Sequence, residues 1–147
     1  MTVLTALLAL AALAALTAVT VLVGVLWRRR QGTAVAVSPA SAPTAIDPAL
    51  FGASADRFGS RATLVQFSTA FCSGCPATRR VLGELSARTE GVEHLEVDVG
   101  ERADLVRRFA ILQTPTTLIL DRHGVVRTRI GGVVRRSVVE ERLEALR

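Results

Sequence analysis

The chain has 147 residues and a formal net charge of +5, from 18 basic residues that are all arginine and 13 acidic residues. Its length favours a single compact domain. Three of the positive charges lie together at residues 28–30, so the rest of the chain carries 15 arginines against 13 acids. It also lacks tyrosine, and its one tryptophan is Trp27. Because stacking side chains are scarce and the excess charge is small, a nucleic-acid-binding function is excluded.

The first predicted element is an apolar helix over residues 2–27, a stretch without charged residues or proline. A helix needs roughly 20 residues to span a bilayer, and this stretch is longer. Trp27 stands at its end, where an interfacial aromatic is expected. So small a chain has no core that could surround such a helix, so we expect a membrane anchor. A cleaved signal peptide is disfavoured, because the apolar run is too long and the arginines follow it.

The arginines at 28–30 predict the orientation, because basic residues beside a membrane helix remain in the cytoplasm. We therefore expect a single-pass protein of the cell membrane with a cytoplasmic C-terminal domain. Residues 28–46 are predicted to be a basic flank and a linker, since the run SPASAPTA has no hydrophobic periodicity. Within them, residues 33–37 (TAVAV) could form a short strand.

Residues 47–147 are predicted to form an α/β domain. Asp47 and Pro48 would begin a short helix that extends to Phe58. Because strands separated by helices pair in parallel and a hairpin adds antiparallel strands, we expect a mixed sheet with helices on both faces. Hydrophobic periodicity predicts strands at 63–68, 92–99, 115–121 and 125–130, and helices at about 72–89 and at 101–110. A last helix is predicted from Ser137, which forms a capping box with Glu140.

The only two cysteines, Cys72 and Cys75, lie in the segment FCSGCPATRR between a predicted strand and a predicted helix. The backbone N–H groups and the dipole at a helix start stabilise a thiolate, which is the nucleophile of disulfide exchange. A zinc site would need two more ligands, and the only histidines, His94 and His123, match no zinc-finger spacing. Two buried, inert cysteines are the other alternative. The C-x-x-C spacing after a strand favours a redox pair.

Residues 62–146 resemble the thioredoxin superfamily in the segments TLVQFSTAFCSGC, LEVDV, TPTTLILDRHG and RIGG. The resemblance implies a thioredoxin-like mixed sheet, catalytic Cys72 and Cys75 that form a disulfide, and a cis peptide bond between Thr114 and Pro115. In the family, the matching proline packs beside the disulfide, and the residue before it offers backbone hydrogen bonds to a bound peptide. Thr114, Pro115 and Phe71 are therefore the expected substrate-binding residues.

The chain departs from the family pattern at several positions. Phe71 replaces a tryptophan, Ser73-Gly74 replaces Gly-Pro between the cysteines, and Arg80 replaces a proline that kinks the helix. Gln66 stands where the family has a buried aspartate. An amide cannot take a proton, so the family's usual aid for deprotonating the resolving cysteine is missing. We expect these changes to alter efficiency and reduction potential rather than the basic chemistry.

These features predict a membrane-tethered thiol–disulfide oxidoreductase, a disulfide reductase that resembles the membrane-anchored thioredoxin-like proteins of bacteria. Cys72 would attack a protein or small-molecule disulfide, Cys75 would release the product, and an upstream thiol reductant would restore the pair without metal or organic cofactor. Arg79 and Arg80 would either support the Cys72 thiolate or be solvated.

Two alternatives to this function stay open. The domain could face outward and serve cytochrome c maturation or exported-protein disulfides, or it could bind a partner without turnover, which Gln66 allows.

Overall fold

A computed structural model describes residues 3–30, 32, 34–36 and 45–146, and the chain divides into two compact units, Met1–Gln31 and Gly32–Arg147. The first unit is helix α1, Val3–Arg30. Its segment Val3–Leu26, with a mean hydropathy of 2.6, is long and apolar enough to cross a membrane. The predicted apolar helix is thereby confirmed. The side chain of Trp27 lies outside the described part of the structure.

The second unit contains a five-stranded mixed sheet with the strand order β1-β5-β4-β2-β3. Strands β2 and β3 pair in parallel, whereas the other neighbours pair antiparallel. All seven residues of β2 are buried, as expected of a central strand with both faces covered. The predicted fold class is confirmed. The strands are β1 (Ala34–Ala36), β2 (Ala62–Ser68), β3 (Val92–Asp98), β4 (Thr116–Asp121) and β5 (Val126–Gly131).

Strand β1 falls within the segment that the sequence predicts as a flank and linker, residues 28–46. Ala34 pairs with Ile130 of β5, and the N–H of Gly32 donates to the carbonyl of Gly131 at 2.8 Å. The suggested short strand is confirmed with narrower bounds, and the sheet includes residues that precede 47. The SPASAPTA run begins at Ser38, after β1, and its residues up to Thr44 lie outside the described part of the chain.

Three helices cover the two faces of the sheet: α2 (Cys75–Arg88), α3 (Ala103–Arg108) and α4 (Arg136–Glu144). One face carries Leu105 of α3 and an aromatic group of Phe51, Phe67 and Phe109, whose ring centroids lie 5.3 to 5.9 Å apart. The other face packs apolar side chains of α2 and α4 against the sheet. These are Leu82 and Leu85 of α2 and Val139 and Leu143 of α4, against Leu64, Ile119 and Ile130.

The short helix predicted over residues 47–58 is wrong. Two 3-10 turns, Pro48–Phe51 and Ala55–Arg57, take its place. Asp47 does cap the first turn, because its Oδ1 accepts the N–H of Ala49 at 2.9 Å. Gly52 then adopts a left-handed conformation with φ of 69°, which ends the turn as a C-terminal glycine does.

The predicted starts of two helices are also wrong. Helix α2 begins at Cys75 rather than near Cys72, because the N–H of Cys75 donates to the carbonyl of Cys72 in a tight turn that precedes the helix. Helix α4 begins at Arg136, one residue before Ser137, and its N-terminus has no side-chain cap within the described part of the chain. An ion pair between Arg136 and Glu84 of α2 holds the first residue of α4 in place instead of the capping box.

Candidate active site

The two cysteines lie between the end of β2 and the start of α2, and they form a disulfide with an S–S distance of 1.99 Å. Their environments differ. Cys72 is partly exposed in the turn, whereas Cys75 is only 2% exposed because it begins the buried face of α2. An external thiol or disulfide therefore reaches the sulfur of Cys72 and not that of Cys75.

The loop before β4 packs against the cysteine turn. The Thr114–Pro115 peptide bond is cis, as the resemblance implies. A Cβ atom added at Gly74 would lie 3.3 Å from Cδ of Pro115 and 2.8 Å from Cγ2 of Val133. The absence of a side chain at Gly74 thus allows the cysteine turn to approach Pro115 closely. The N–H of Gly132 donates to the carbonyl of Pro115 at 2.8 Å and brings a third loop to the site.

Apolar and hydroxyl residues lie in the cysteine loop and in the loop before β4. Phe71 is fully exposed, and Leu112, in the loop before Pro115, is 93% exposed. The hydroxyls of Thr69 and Thr114 lie 3.3 Å apart and link the two loops. Leu112 and Thr69 were not identified from the sequence, because their neighbours in space come from a distant loop.

An open groove of about 770 Å³ adjoins Phe71 on the side of β3. Arg102 in this groove is paired with Asp104 at 2.9 Å, so its charge is largely balanced. Asp98 accepts the N–H of Gly100 at 2.8 Å, which shapes the groove wall. The groove therefore reaches the residue directly before Cys72. Its lining is Thr69, Ala70, Phe71, Asp98, Gly100, Glu101 and Arg102.

Beneath the disulfide lies a network of polar side chains on β2, β3 and α2. Gln66 is fully buried, and its Nε2 donates to the carbonyl of Cys75 at 3.2 Å and to Oε1 of Glu96 at 3.4 Å. Glu96 stands opposite Gln66 in the parallel register, and Arg79 donates to both of its carboxylate oxygens. The hydrogen bond from Arg79 is the main reason that the pKa of Glu96 lies below its ordinary value.

Arg79 and Arg80, two of the three arginines on α2, are engaged in ion pairs. Arg79 binds Glu96, and Arg80 lies 3.4 Å from Glu84 one turn along the helix. These contacts favour the interpretation of Arg79 and Arg80 as structural and surface charges rather than as supports of the Cys72 thiolate. Glu96 was missed at the sequence level, although the parallel pairing of the two strands places it beside Gln66.

His94 also lies on β3, half-buried, and burial is the main reason that its pKa lies below the ordinary value of 6.5. The folded domain therefore takes up a proton here at lower pH than the unfolded chain does. As pH falls below about 6.5, the unfolding free energy is expected to decrease by at most about 1.4 kcal/mol per pH unit, a limit that solvent screening reduces. Chemical denaturation at several pH values, followed by circular dichroism, measures this slope.

Replacing His94→Gln is expected to remove this part of the pH dependence. His123→Gln is the matched control, because His123 is exposed in the turn between β4 and β5. An unchanged slope in the His94 variant, or a slope lost only in the His123 variant, would contradict the assignment.

The described residues contain no group of three or more histidine, cysteine, aspartate or glutamate side chains that could hold a metal ion. The two cysteines are joined to each other, and the two histidines lie on β3 and in the β4–β5 turn. The site that the fold assembles is therefore built around the disulfide.

Comparisons with known proteins agree with this geometry. The family model described as Thioredoxin matches residues 51–145. No match was found among curated proteins. Thioredoxin NaTrxh from Nicotiana alata is 25% identical, with 60% of this chain and 75% of that chain covered and a TM-score of 0.53. A mutant thioredoxin from Halobacterium salinarum is 17% identical, with 70% and 87% covered and a TM-score of 0.57.

A third solved structure, the reduced thioredoxin pre-protein of Schistosoma mansoni, is 20% identical, with 63% of this chain and 85% of that chain covered and a TM-score of 0.53. The matched regions leave the apolar helix α1 outside the family model. The similarity therefore concerns the unit that carries the disulfide.

Proposed function

The chain belongs to the thioredoxin superfamily, and on this premise we propose that it is a membrane-tethered thiol–disulfide oxidoreductase that reduces disulfides. One observation carries the proposal: a partly exposed Cys72 is bonded to a buried Cys75 beside Pro115. This asymmetry supports Cys72 as the attacking residue and Cys75 as the resolving residue. The substrate class is a protein or small-molecule disulfide.

In the proposed cycle, the reduced Cys72 thiolate attacks one sulfur of a substrate disulfide, and the other substrate sulfur leaves as a thiolate. Cys75 then attacks Cys72 in the mixed disulfide, so that the second substrate sulfur leaves and the Cys72–Cys75 disulfide forms. Two electrons pass from the cysteine pair to the substrate. An upstream thiol reductant returns them by the same exchange chemistry. The N-terminus of α2, three residues after Cys72, favours the thiolate at that position.

The proposed substrate contacts are Phe71, Thr114 and Pro115. Phe71 is exposed directly before the attacking cysteine, and Thr114 lies next to Thr69, two residues before the start of β4. An extended substrate segment would add to the backbone at Thr114, as strands add to a sheet edge. The apolar side chain of Leu112 would pack on the segment from the other side.

The apolar helix supports the membrane part of the proposal. We propose that residues 2–27 span the cell membrane once, that 28–46 form a basic flank and linker from which β1 adds to the sheet, and that the domain at 47–147 is cytoplasmic. The charge asymmetry carries this orientation, because the arginines at 28–30 directly follow the uncharged stretch.

The orientation predicts which face of the membrane exposes Cys72. After mild reduction, a membrane-impermeant alkylating reagent is expected to label the full chain in inverted membrane vesicles and not in intact cells. Cys72→Ser serves as the control, because it removes the accessible thiol. Labelling of intact cells would reverse the orientation and favour a role in cytochrome c maturation or in the disulfides of exported proteins.

The reduction potential tests the direction of the reaction. The full chain in detergent is equilibrated with glutathione buffers, and its free thiols are counted by the mass shift on alkylation. A potential near about −270 mV, in the range of thioredoxin, is expected for a reductase. A potential near about −120 mV would mark a strong oxidant and contradict both the direction and the cytoplasmic orientation. If the disulfide formed at no ratio of reduced to oxidised glutathione, the oxidoreductase would be contradicted. The remaining alternative would be a module that binds a partner without turnover.

A further inference from the structure

The side-chain amide of Gln66 has only one chemically sensible orientation. Its Nε2 contacts two oxygens that can only accept hydrogen bonds, the carbonyl of Cys75 and the ion-paired carboxylate of Glu96. A flipped amide would direct Oε1 at both acceptors, which is repulsive. The nitrogen therefore faces Cys75 and Glu96, and Oε1 occupies the remaining side of the same planar group.

Oε1 of Gln66 is buried and has no hydrogen-bond partner among the described residues. Two hydroxyls in the same layer do not satisfy it. Thr117 stands opposite Gln66 on β4, and Thr78 lies on the buried side of α2, yet each of these hydroxyl oxygens also lacks a partner within the described part of the chain. A buried acceptor without a donor is costly, so this oxygen is destabilising while the disulfide is closed.

The disulfide form provides no donor at this point, because neither sulfur carries a hydrogen. Reduction changes this. Two molecules of a monothiol such as glutathione break the Cys72–Cys75 bond, both protein sulfurs become thiols, and the two monothiols become joined in one disulfide. The new S–H of Cys75 is a buried donor in the residue whose carbonyl Gln66 already contacts.

We infer that Oε1 of Gln66 accepts the S–H hydrogen of reduced Cys75, so that Gln66 stabilises the dithiol form over the disulfide. Gln66 is thus a positioning residue that sets the redox poise of the pair. The hydrogen bonds from Nε2 are made to groups that persist in both redox states, so they do not contribute to the difference. The inference deepens the proposed function by assigning this bias to one side chain, and it rests on that function only in requiring a reducible pair.

Infrared spectroscopy of the S–H stretch tests the hydrogen bond directly. The chain has two cysteines, so in full-length Cys72→Ser protein the only thiol is Cys75. Its S–H band is expected at lower wavenumber than that of a free alkanethiol in apolar solvent. Adding Gln66→Met, which keeps the length of the side chain and removes the amide, is expected to move the band back to higher wavenumber. The control is Thr117→Val, which removes a buried hydroxyl from the residue paired with Gln66 on β4. It is expected to leave the band in place.

A band at the free-thiol position in the Cys72→Ser protein overturns the inference, and so does a shifted band that Gln66→Met does not move. The first of these outcomes needs no substitution at Gln66, so the test holds even if Gln66→Met fails to fold. The band does not depend on turnover. A shifted band in a chain that reduces no disulfide would therefore contradict the proposed function and leave the hydrogen bond standing.

The equilibrium with glutathione gives a second readout that a purely structural role would not change. With both cysteines present, Gln66→Met is expected to shift the equilibrium about tenfold toward the disulfide, which lowers the reduction potential by about 30 mV. Thr117→Val is expected to leave the potential in place. An equal shift in both variants, or no shift in Gln66→Met, contradicts the assigned role.

Discussion

Replacing Cys75→Ser is expected to trap the full chain on its substrates through Cys72. The substitution leaves the exposed sulfur able to attack but removes the buried sulfur that resolves the mixed disulfide. A well-placed intramolecular nucleophile acts with an effective concentration of about 10⁵ M or more, so millimolar external thiol resolves the adduct many orders of magnitude more slowly. Non-reducing electrophoresis of membranes from cells that express the variant measures the trapped species.

Cys72→Ser provides the matched control, because it leaves Cys75 as the single cysteine, and that residue is 2% exposed. It is expected to lose turnover and to form no adducts. A Cys75→Ser protein that accumulates no adduct, while a partner still copurifies with the wild-type and Cys72→Ser chains, would contradict the reductase and support a module that binds without exchange. Adducts that form equally in both variants would contradict the assignment of Cys72 as the attacking residue.

Gly59→Ala is expected to destabilise the domain by about 3 kcal/mol or more, which is a large part of the stability of a typical domain. A Cβ atom at this position would lie 2.2 Å from the carbonyl oxygen of Ala62, 2.4 Å from that of Gly91 and 2.8 Å from the N atom of Glu93. All three are backbone atoms at the paired ends of β2 and β3, so no side chain can move aside. Urea denaturation of the full chain in detergent, followed by circular dichroism, measures the loss.

The control is Gly83→Ala, at a glycine inside α2 where the nearest atom to an added Cβ is Nδ1 of His94 at 4.0 Å. Alanine is expected to stabilise the domain there by about 1 kcal/mol, because glycine is a poor helix former. Opposite signs at the two positions are the predicted signature. A Gly59→Ala domain as stable as the wild type would mean that the ends of β2 and β3 relax more than their pairing implies.

Local patterns predicted most of the secondary structure. The uncharged run before the arginines predicted α1, and alternating or continuous apolar residues predicted the strands, because side-chain direction repeats every 2 residues in a strand and every 3.6 in a helix. Errors arose where local signals compete. Gly52 divides the segment after Asp47 into two turns, and α4 begins at Arg136, which pairs with Glu84 of α2, rather than after the capping residue Ser137.

The amino-acid sequence by itself predicted a redox pair, because the C-x-x-C spacing places two cysteines close together at the junction of a strand and a helix. The resemblance added the proline loop, which is far away along the chain. Only the tertiary structure decided that Ala34–Ala36 adds to the sheet beside β5 and that Glu96 joins Gln66 and Arg79 beneath Cys75. The reason is that register and burial arise from pairing between distant segments, and local periodicity contains no record of which segments meet.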